Sequence, residues 1–586
     1  MIAPGLAAVL LVARVAVLWA RPVEWTPLLF LACVGQDALV AAVFLLLEAS
    51  VRRRRWGRRA MVVAFWAITP YVAVNAVVAR VLPTPLTWPM IRAAGGPMAD
   101  SIQRYVTPSS VVVICLIIGS GVAARTTFRR VSIRPIRMLG LALVLAGLGG
   151  TVAATRVETW GLHRNALVAL ATSTFPAVDA HETKAAAGDA WRRPPFETPP
   201  AAALSFLRGA ADGRSVVIIG LESTAAQYLQ SYGARENVMP RLEELTRSAV
   251  VFDWAYAVSP DSIRSLFSVL CSRYPAFDTP VEAYGRAPCG ALSGALQARG
   301  YRTALFHSGR FGYLGMNEVI RDRGFDTLED AGHIGGNHES SFGVDEPATV
   351  ARILSWIDAV AADGRFVAHY MPIAGHHPYA INGPGAFGSK TDLDRYRSAL
   401  QDGDVSIGVL IDGLKSRGLF EKTMFVVYGD HGQAFNQHPG NVGHTFYLYE
   451  ENVRIPFFVA LPGLIAETVR SNLTTSLVDV APTVFDLLGL PADSRHQGIT
   501  ALNGQARTSP FFTDYGARLV GLRDGPWKFI HDLDAGRSQL FRLDLDPAER
   551  QNQEHLEPER VAAYRQTLTD WSSAQKALMG SRARQR

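Results

Sequence analysis

Five apolar stretches, at roughly 3–20, 26–48, 60–82, 108–124 and 137–154, crowd the first 155 residues. Each comes close to the about 20 residues that a helix needs to cross a hydrocarbon core. Buried helices of a large soluble core would account for the apolarity, but not for the way charge divides the connections. Arg52, Arg53, Arg54, Arg55, Arg58 and Arg59 lie between the second and third stretches, and Arg125, Arg129, Arg130, Arg134 and Arg137 between the fourth and fifth. The first connection carries only Arg21, and the much longer third only Arg92 and Arg104. Cytoplasmic loops collect arginine and lysine, so this pattern predicts a cytoplasmic N-terminus and an extracytoplasmic chain beyond about residue 155. No basic segment precedes the first stretch, so a multi-pass anchor in the plasma (inner) membrane is expected rather than a cleaved signal peptide.

The formal net charge of +6 then reflects topology, with a further contribution from Arg582, Arg584 and Arg586 in the tail. It argues against a nucleic-acid partner. Two ionisable residues fall inside the anchor, Arg14 and Asp37. Such groups are costly in a bilayer and usually paired, so an Arg14–Asp37 pair is one expectation; Arg14 reaching to the interface is the other. The connection from Thr84 to Thr107, with Trp88, Met90, Ile91 and Tyr105, reads as an interfacial element. Cys33 and Cys115 sit in apolar stretches as small hydrophobes. Cys271 and Cys289 fall in the exported part, where an oxidising compartment would join them.

Composition divides the 586 residues into an anchor (1–155), an Ala/Thr/Pro-rich linker (156–205), a main domain (206–508) and a strand-rich C-terminal subdomain closed by a helix (509–586). In the main domain, strand-like runs at 215–221, 302–306, 365–371, 423–428 and 454–460 alternate with helical patterns at 237–248, 262–271, 290–299, 347–361, 392–417 and 476–489. Alternation of this kind predicts an α/β fold with a doubly wound, mostly parallel sheet.

Two of the runs end in acids. Val216-Val217-Ile218-Ile219-Gly220-Leu221 leads into Glu222, and Phe425-Val426-Val427-Tyr428-Gly429 leads into Asp430-His431-Gly432. Parallel strands deliver their C-terminal ends to one sheet edge, where two carboxylates and an imidazole can hold a divalent metal. Between them, Ser262 opens the helical segment Ser262–Cys271 and can bring a hydroxyl to the same place. Taken singly, these features also read as a helix cap, an ordinary turn and one serine among many.

Taken in order, they resemble the alkaline phosphatase/sulfatase superfamily over most of residues 212–575. Leu221-Glu222-Ser223-Thr224 is similar to the first metal segment, and Ser262 to Pro275 to the nucleophile helix. Gly300-Tyr301-Arg302-Thr303-Ala304 is similar to the next strand of the family. His376-His377-Pro378-Tyr379 matches the segment whose first histidine meets the substrate anion. Asp430-His431-Gly432, His438, His444, Tyr449-Glu450, Arg454 and Pro456 resemble the second metal segment and its C-terminal flank. Ser476 to Thr483, Leu540-Phe541 and Asp546-Pro547 match the C-terminal landmarks. The formylglycine motif Cys/Ser-x-Pro-x-Arg is absent, because Arg264 and Leu266 occupy its proline and arginine positions.

A membrane anchor with an exported catalytic domain resembles the branch of lipoteichoic acid synthases and phosphoethanolamine transferases. Those enzymes use threonine where Ser262 stands. The Trp-x-Arg found after the Phe-His-Gly strand end in lipoteichoic acid synthases has no counterpart after Phe306-His307-Ser308-Gly309. The resemblance implies Glu222, Ser262, Asp430 and His431 as metal ligands, Ser262 as nucleophile, and His376, His438 and His444 as substrate-binding residues. Mixed oxygen and nitrogen ligands favour zinc or manganese, with magnesium or calcium possible. The implied reaction transfers a phosphoryl headgroup from a membrane lipid donor to an envelope glycan or lipid acceptor. Hydrolysis of a sulfate ester or phosphodiester on the same fold, and a non-catalytic envelope binding protein, are the alternatives.

Overall fold

The computed structural model describes residues 2–20, 25–51, 53–81, 85–88, 91, 106–127, 133–157, 159, 161–173, 190–196, 200–277, 279–336, 342–381 and 383–580. Most of the connection 84–107, much of the linker 156–205 and the arginines of the tail lie outside these residues.

All five apolar stretches are helical: Ala3–Trp19, Pro27–Val51, Arg55–Val81, Pro108–Thr127 and Ile133–Ala154. Three of them, the second, third and fourth, are long and apolar enough to cross a membrane; the first and fifth are apolar but fall short of that measure. Arg14 does pair with Asp37, through Nε–Oδ2 at 2.7 Å and Nη2–Oδ1 at 2.9 Å. Its remaining N–H groups reach the carbonyls of Leu162 and Arg164, and Asn165 donates to Asp37 at 2.6 Å. The pair therefore ties two helices to the segment after the fifth and leaves neither charge unmet.

The main domain is built on a sheet with strands β1 (Ser215–Leu221), β2 (Ala249–Tyr256), β3 (Arg302–His307), β4 (Thr327–Glu329), β5 (Phe366–Met371) and β6 (Thr423–Gly429). A short ribbon, β7 (Ala434–Phe435) and β8 (Val442–Gly443), comes next, and β9 (Arg454–Ile455), β10 (Phe457–Ala460) and β11 (Val469–Ser476) complete the sheet. The order is β11-β2-β10-β6-β1-β5-β3-β4, with β9 added against β2. It is a mixed sheet, since five pairings are parallel while β10 runs antiparallel to both its neighbours and β9 antiparallel to β2. The single strand expected at 454–460 is two, broken by Pro456, which has no N–H to give a ladder.

Side chains alternate between two cores along each strand. In β1, Val216 and Ile218 enter one core with Val269, Val484 and Trp571; Val217 and Ile219 enter the other with Leu242, Trp356 and Ile407. Helices Ser262–Cys271, Val480–Leu487 and Pro558–Gly580 thus cover one face, and Pro240–Thr246, Glu346–Val360 and Asp392–Ser416 the other. Covered on both faces, β1 and β6 are buried throughout, which is why they read as continuous apolar runs. Beyond residue 508, β12 (Ser509–Thr513), β13 (Leu519–Asp524), β14 (Trp527–Asp532) and β15 (Arg537–Arg542) form a separate antiparallel sheet. Cys271 and Cys289 are joined as a disulfide.

Candidate metal centre and serine site

β1 and β6 pair in parallel with Leu221 opposite Gly429, so Glu222 and Asp430 leave the sheet side by side. Both are nearly enclosed, at 7% and 5% exposure, and His431 is fully buried at 0%. Gly432 must be glycine: a Cβ there would lie 2.1 Å from the Glu451 carbonyl oxygen. Close approach of that backbone is what holds the Asp-His-Gly turn against the body of the domain, and the Gly432 amide donates to Asn452 O at 2.8 Å.

One oxygen of Asp430, Oδ1, accepts the amides of Ser223 (2.8 Å) and His431 (2.7 Å). Ser223 sits at φ 53, a left-handed conformation that strains a residue with a Cβ. It is held there by its amide bond to Asp430, its hydroxyl bond to Glu222 Oε1 (2.8 Å) and the Tyr396 hydroxyl on its carbonyl (2.6 Å). His431 Nδ1 faces the Gly432 carbonyl at 3.0 Å. That bond assigns the proton to Nδ1 and leaves the Nε2 lone pair aimed at the carboxylates, 3.5 Å from Asp430 Oδ2 and 3.8 Å from Glu222 Oε1.

Ser262 is the first residue of its helix, capped by Asp261, whose side chain accepts the Arg264 amide at 2.9 Å. Its hydroxyl is 3.2 Å from Glu222 Oε2 and 3.2 Å from His431 Nε2. Ser265, one turn on, fastens the helix to the end of β6 by donating to Asp430 O at 2.7 Å. The four residues expected to meet at a metal therefore converge.

The donor set fits a cation. Among the described residues no lysine or arginine pairs with Glu222 or Asp430. Burial, and then the charge of Asp430, push the Glu222 carboxyl up to about 8. Burial likewise pushes Asp430 up to about 7, against the lowering pull of the Ser262 hydroxyl and the Ser223 and His431 amides. Two buried carboxyls without such a basic partner hold protons that an external cation would displace. Glu222, Asp430 and His431 each bring a ligand atom within the span one ion can bridge.

The remaining expected residues divide. His444 stacks on His431 with ring centroids 4.1 Å apart and directs Nδ1 at Gln433 Oε1 (2.8 Å). His376 comes directly after Gly375, where a Cβ would lie 2.1 Å from the Glu222 carbonyl oxygen, and its ring stacks on Phe342 at 3.6 Å. Burial holds both imidazoles neutral: His376 falls to about 3, and His444 well below its usual range, each also repelled by His377 and His431. His438 joins a different buried group, with Nδ1 2.7 Å from Glu451 Oε1 and its ring 3.7 Å from that of Tyr449.

Several neighbours carry no signal in the sequence. Gln433 orients His444 and donates to Tyr379 OH. Tyr313 closes the aromatic wall beside His376, its ring 5.0 Å from that of Phe342. Arg264, to which the sequence assigns no role, is enclosed: it pairs with Asp514 at 2.8 Å, with 11% and 6% of the two side chains exposed.

The sulfatase family model matches residues 214–490, from the start of β1 to just past the helix Val480–Leu487. Those residues are a sulfatase-family domain. The chain is 21% identical over 373 residues to lipoteichoic acid synthase 2 of Bacillus subtilis, covering 58% of this chain and 57% of the relative. It is 32% identical over 161 residues to a choline-sulfatase of Rhizobium meliloti, covering 25% and 30%. The chain thus spans about half the length of the curated relatives it matches, or less. Among solved structures, a lipoteichoic acid synthase from Listeria monocytogenes superimposes with TM-score 0.52 at 20% identity, over 64% of this chain and 95% of that one. A protein in the alkaline phosphatase superfamily from Vibrio parahaemolyticus gives 0.53 at 17%, over 66% and 93%. These likenesses establish the fold of the sulfatase domain.

Proposed function

We propose that the protein is a membrane-bound, metal-dependent enzyme that moves a phosphoryl headgroup, of phosphoethanolamine or phosphoglycerol type, from a lipid donor to an envelope acceptor through a covalent Ser262 intermediate. The observation that carries this reading is the Ser262 hydroxyl, 3.2 Å from both Glu222 and His431 within a buried acid–imidazole cluster that has no basic partner among the described residues. Similarity to lipoteichoic acid synthase 2 supports phosphoryl transfer. The apolar N-terminal helices support a donor presented at a bilayer.

In this reading residues 1–155 form a five-helix anchor with a cytoplasmic N-terminus. Residues 156–205 link it to an extracytoplasmic catalytic domain at 206–508, and 509–586 form the closing subdomain. Glu222, Asp430, His431 and Ser262 Oγ would hold a divalent ion, zinc or manganese suiting the donors best. When bound, such an ion supplies positive charge that favours the serine alkoxide and polarises a phosphoryl oxygen.

Ser262 Oγ attacks phosphorus, the new O–P bond forms, and the bond to diacylglycerol or another alcohol breaks. The serine proton passes to solvent, because Glu222 Oε2, 3.2 Å away, is itself a ligand in this reading and stays deprotonated. His376 and His444 are neutral in the free site. An arriving phosphodiester anion offsets the repulsion among the imidazoles, raises their proton affinity and lets them donate to the leaving oxygen. His444, fixed by Gln433, keeps Nε2 for the acceptor hydroxyl that resolves the phosphoseryl enzyme.

Similarity to the choline-sulfatase favours a second reading, hydrolysis of a sulfate ester or phosphodiester with water as acceptor. One experiment separates the two. The full chain is incubated with vesicles of headgroup-labelled phosphatidylethanolamine and phosphatidylglycerol, then digested and analysed by mass. The transferase places the label on Ser262 and loses it in Ser262→Ala. Labelled phosphoethanolamine or glycerol phosphate released with no adduct on Ser262 would sink it.

A further inference from the structure

The helix that begins at Ser262 is gripped from outside the family match. Asp514 and Tyr515 come directly after β12 in the C-terminal subdomain, beyond residue 490 where that match ends. The Tyr515 hydroxyl donates to Asp261 Oδ2 at 2.9 Å, while Asp261 Oδ1 accepts the Arg264 amide at 2.9 Å. Both oxygens of the cap are thereby engaged, so the Asp261 side chain, and with it the backbone that aims Ser262, has one arrangement. Asp514 holds Arg264 at 2.8 Å, and the Arg264 guanidinium lies over the rings of Phe512 (4.9 Å) and Tyr515 (5.7 Å). Phe512 is tied back by its amide to Val258 O at 3.0 Å. At its other end the loop is pinned by Arg518, which meets Asp534 through Nε at 2.9 Å and through its amide at 3.0 Å.

We infer that Asp514 and Tyr515 are positioning residues: through Arg264 and Asp261 they fix where the Ser262 hydroxyl sits relative to Glu222 and His431. This rests on the reading of Ser262 as nucleophile. Neither residue touches the reacting atoms, and neither is needed to supply a metal ligand. Their effect is geometric. Attack by an oxygen falls steeply with misplacement, about 100-fold for 1 Å, and a helix N-terminus loosened at its cap and at its third residue can move by such amounts.

The test uses the full chain with its divalent ion and the headgroup-labelled vesicles above, comparing wild type, Tyr515→Phe and Asp514→Asn. Tyr515→Phe keeps the ring over Arg264 and removes one hydrogen bond; Asp514→Asn keeps the shape and removes the charge, so the two variants loosen the helix start by separate contacts. Single-turnover labelling of Ser262 yields a rate constant, an amplitude and a half-saturating lipid concentration. Positioning predicts a rate constant slower by on the order of ten-fold, with amplitude and half-saturation unchanged. A purely structural role lowers the amplitude, the fraction of folded chains, and leaves the rate constant alone. That result, or a rate constant equal to wild type, would overturn the inference. A wild-type chain that takes no label would overturn the nucleophile reading, and the positioning inference would fall with it.

Discussion

Among the described residues, two groups of acids with a histidine are buried, and they differ in whether a lysine stands among them. In the first, Glu222, Asp430 and His431 gather at the ends of β1 and β6 beside Ser262, and no lysine or arginine among the described residues pairs with the two acids. In the second, Glu451 meets His438 and stands near Glu549, while the fully buried Lys528 ammonium lies 3.0 Å from Glu450 and 2.9 Å from Glu549. Each group brings three ligand-type atoms close together, and proximity alone does not tell them apart. A cation from the chain itself does. The second group is neutralised from within and serves as a joint between the domain and the C-terminal sheet; the first has no such cation among the described residues. His438 and His444, six residues apart in one segment, fall on opposite sides of this division because one meets Glu451 and the other Gln433.

The largest effect is expected at the serine. Ser262→Ala should lower turnover of a lipid phosphodiester by at least about 10⁴-fold, while Ser538→Ala, in the C-terminal sheet, should change it little; steady-state assays on both decide it. Next, Lys528→Met leaves Glu450 and Glu549 buried without their cation and should cost about 3–5 kcal/mol of stability. Denaturant unfolding measures this, and a neutral result would mean that the second group does not depend on its lysine.

The third outcome concerns titration. The folded carboxyls of Glu222 and Asp430, at about 8 and about 7, lie above their unfolded values. Without metal the native state therefore binds more protons than the unfolded chain at intermediate pH, and stability falls as pH rises from about 4 through about 8. Added divalent ion should reverse that slope, since it is bound by the deprotonated groups. Melting curves with and without chelator across this range provide the test; identical slopes would count against a metal at this site. The smallest contrast lies between histidines. His444→Ala should slow transfer by roughly 10²-fold, and His438→Ala should act mainly through stability.

Much of this is legible in the sequence where the signal is local. Strands buried on both faces, such as β1 and β6, announce themselves as apolar runs, with the acids directly at their ends. The helix Ser262–Cys271 is readable to the residue. β2 is not, because Asp253 and Trp254 interrupt its apolar run, nor is β11, an edge strand whose exposed positions Arg470 and Asn472 are polar. The division between His438 and His444 is not readable either: one spacing serves both, and only the folded chain supplies Glu451 to one and Gln433 to the other. Arg264 shows the same limit, since the partner that removes it from solvent, Asp514, comes from the C-terminal subdomain.

The acids and imidazole beside Ser262 are proposed to hold a metal that the second group does not. Metal analysis of the purified full chain, with Asp430→Asn and Glu451→Gln alongside, addresses it directly. One divalent ion per chain is expected in the wild type, lost in Asp430→Asn and retained in Glu451→Gln. Retention in Asp430→Asn with loss in Glu451→Gln would contradict it.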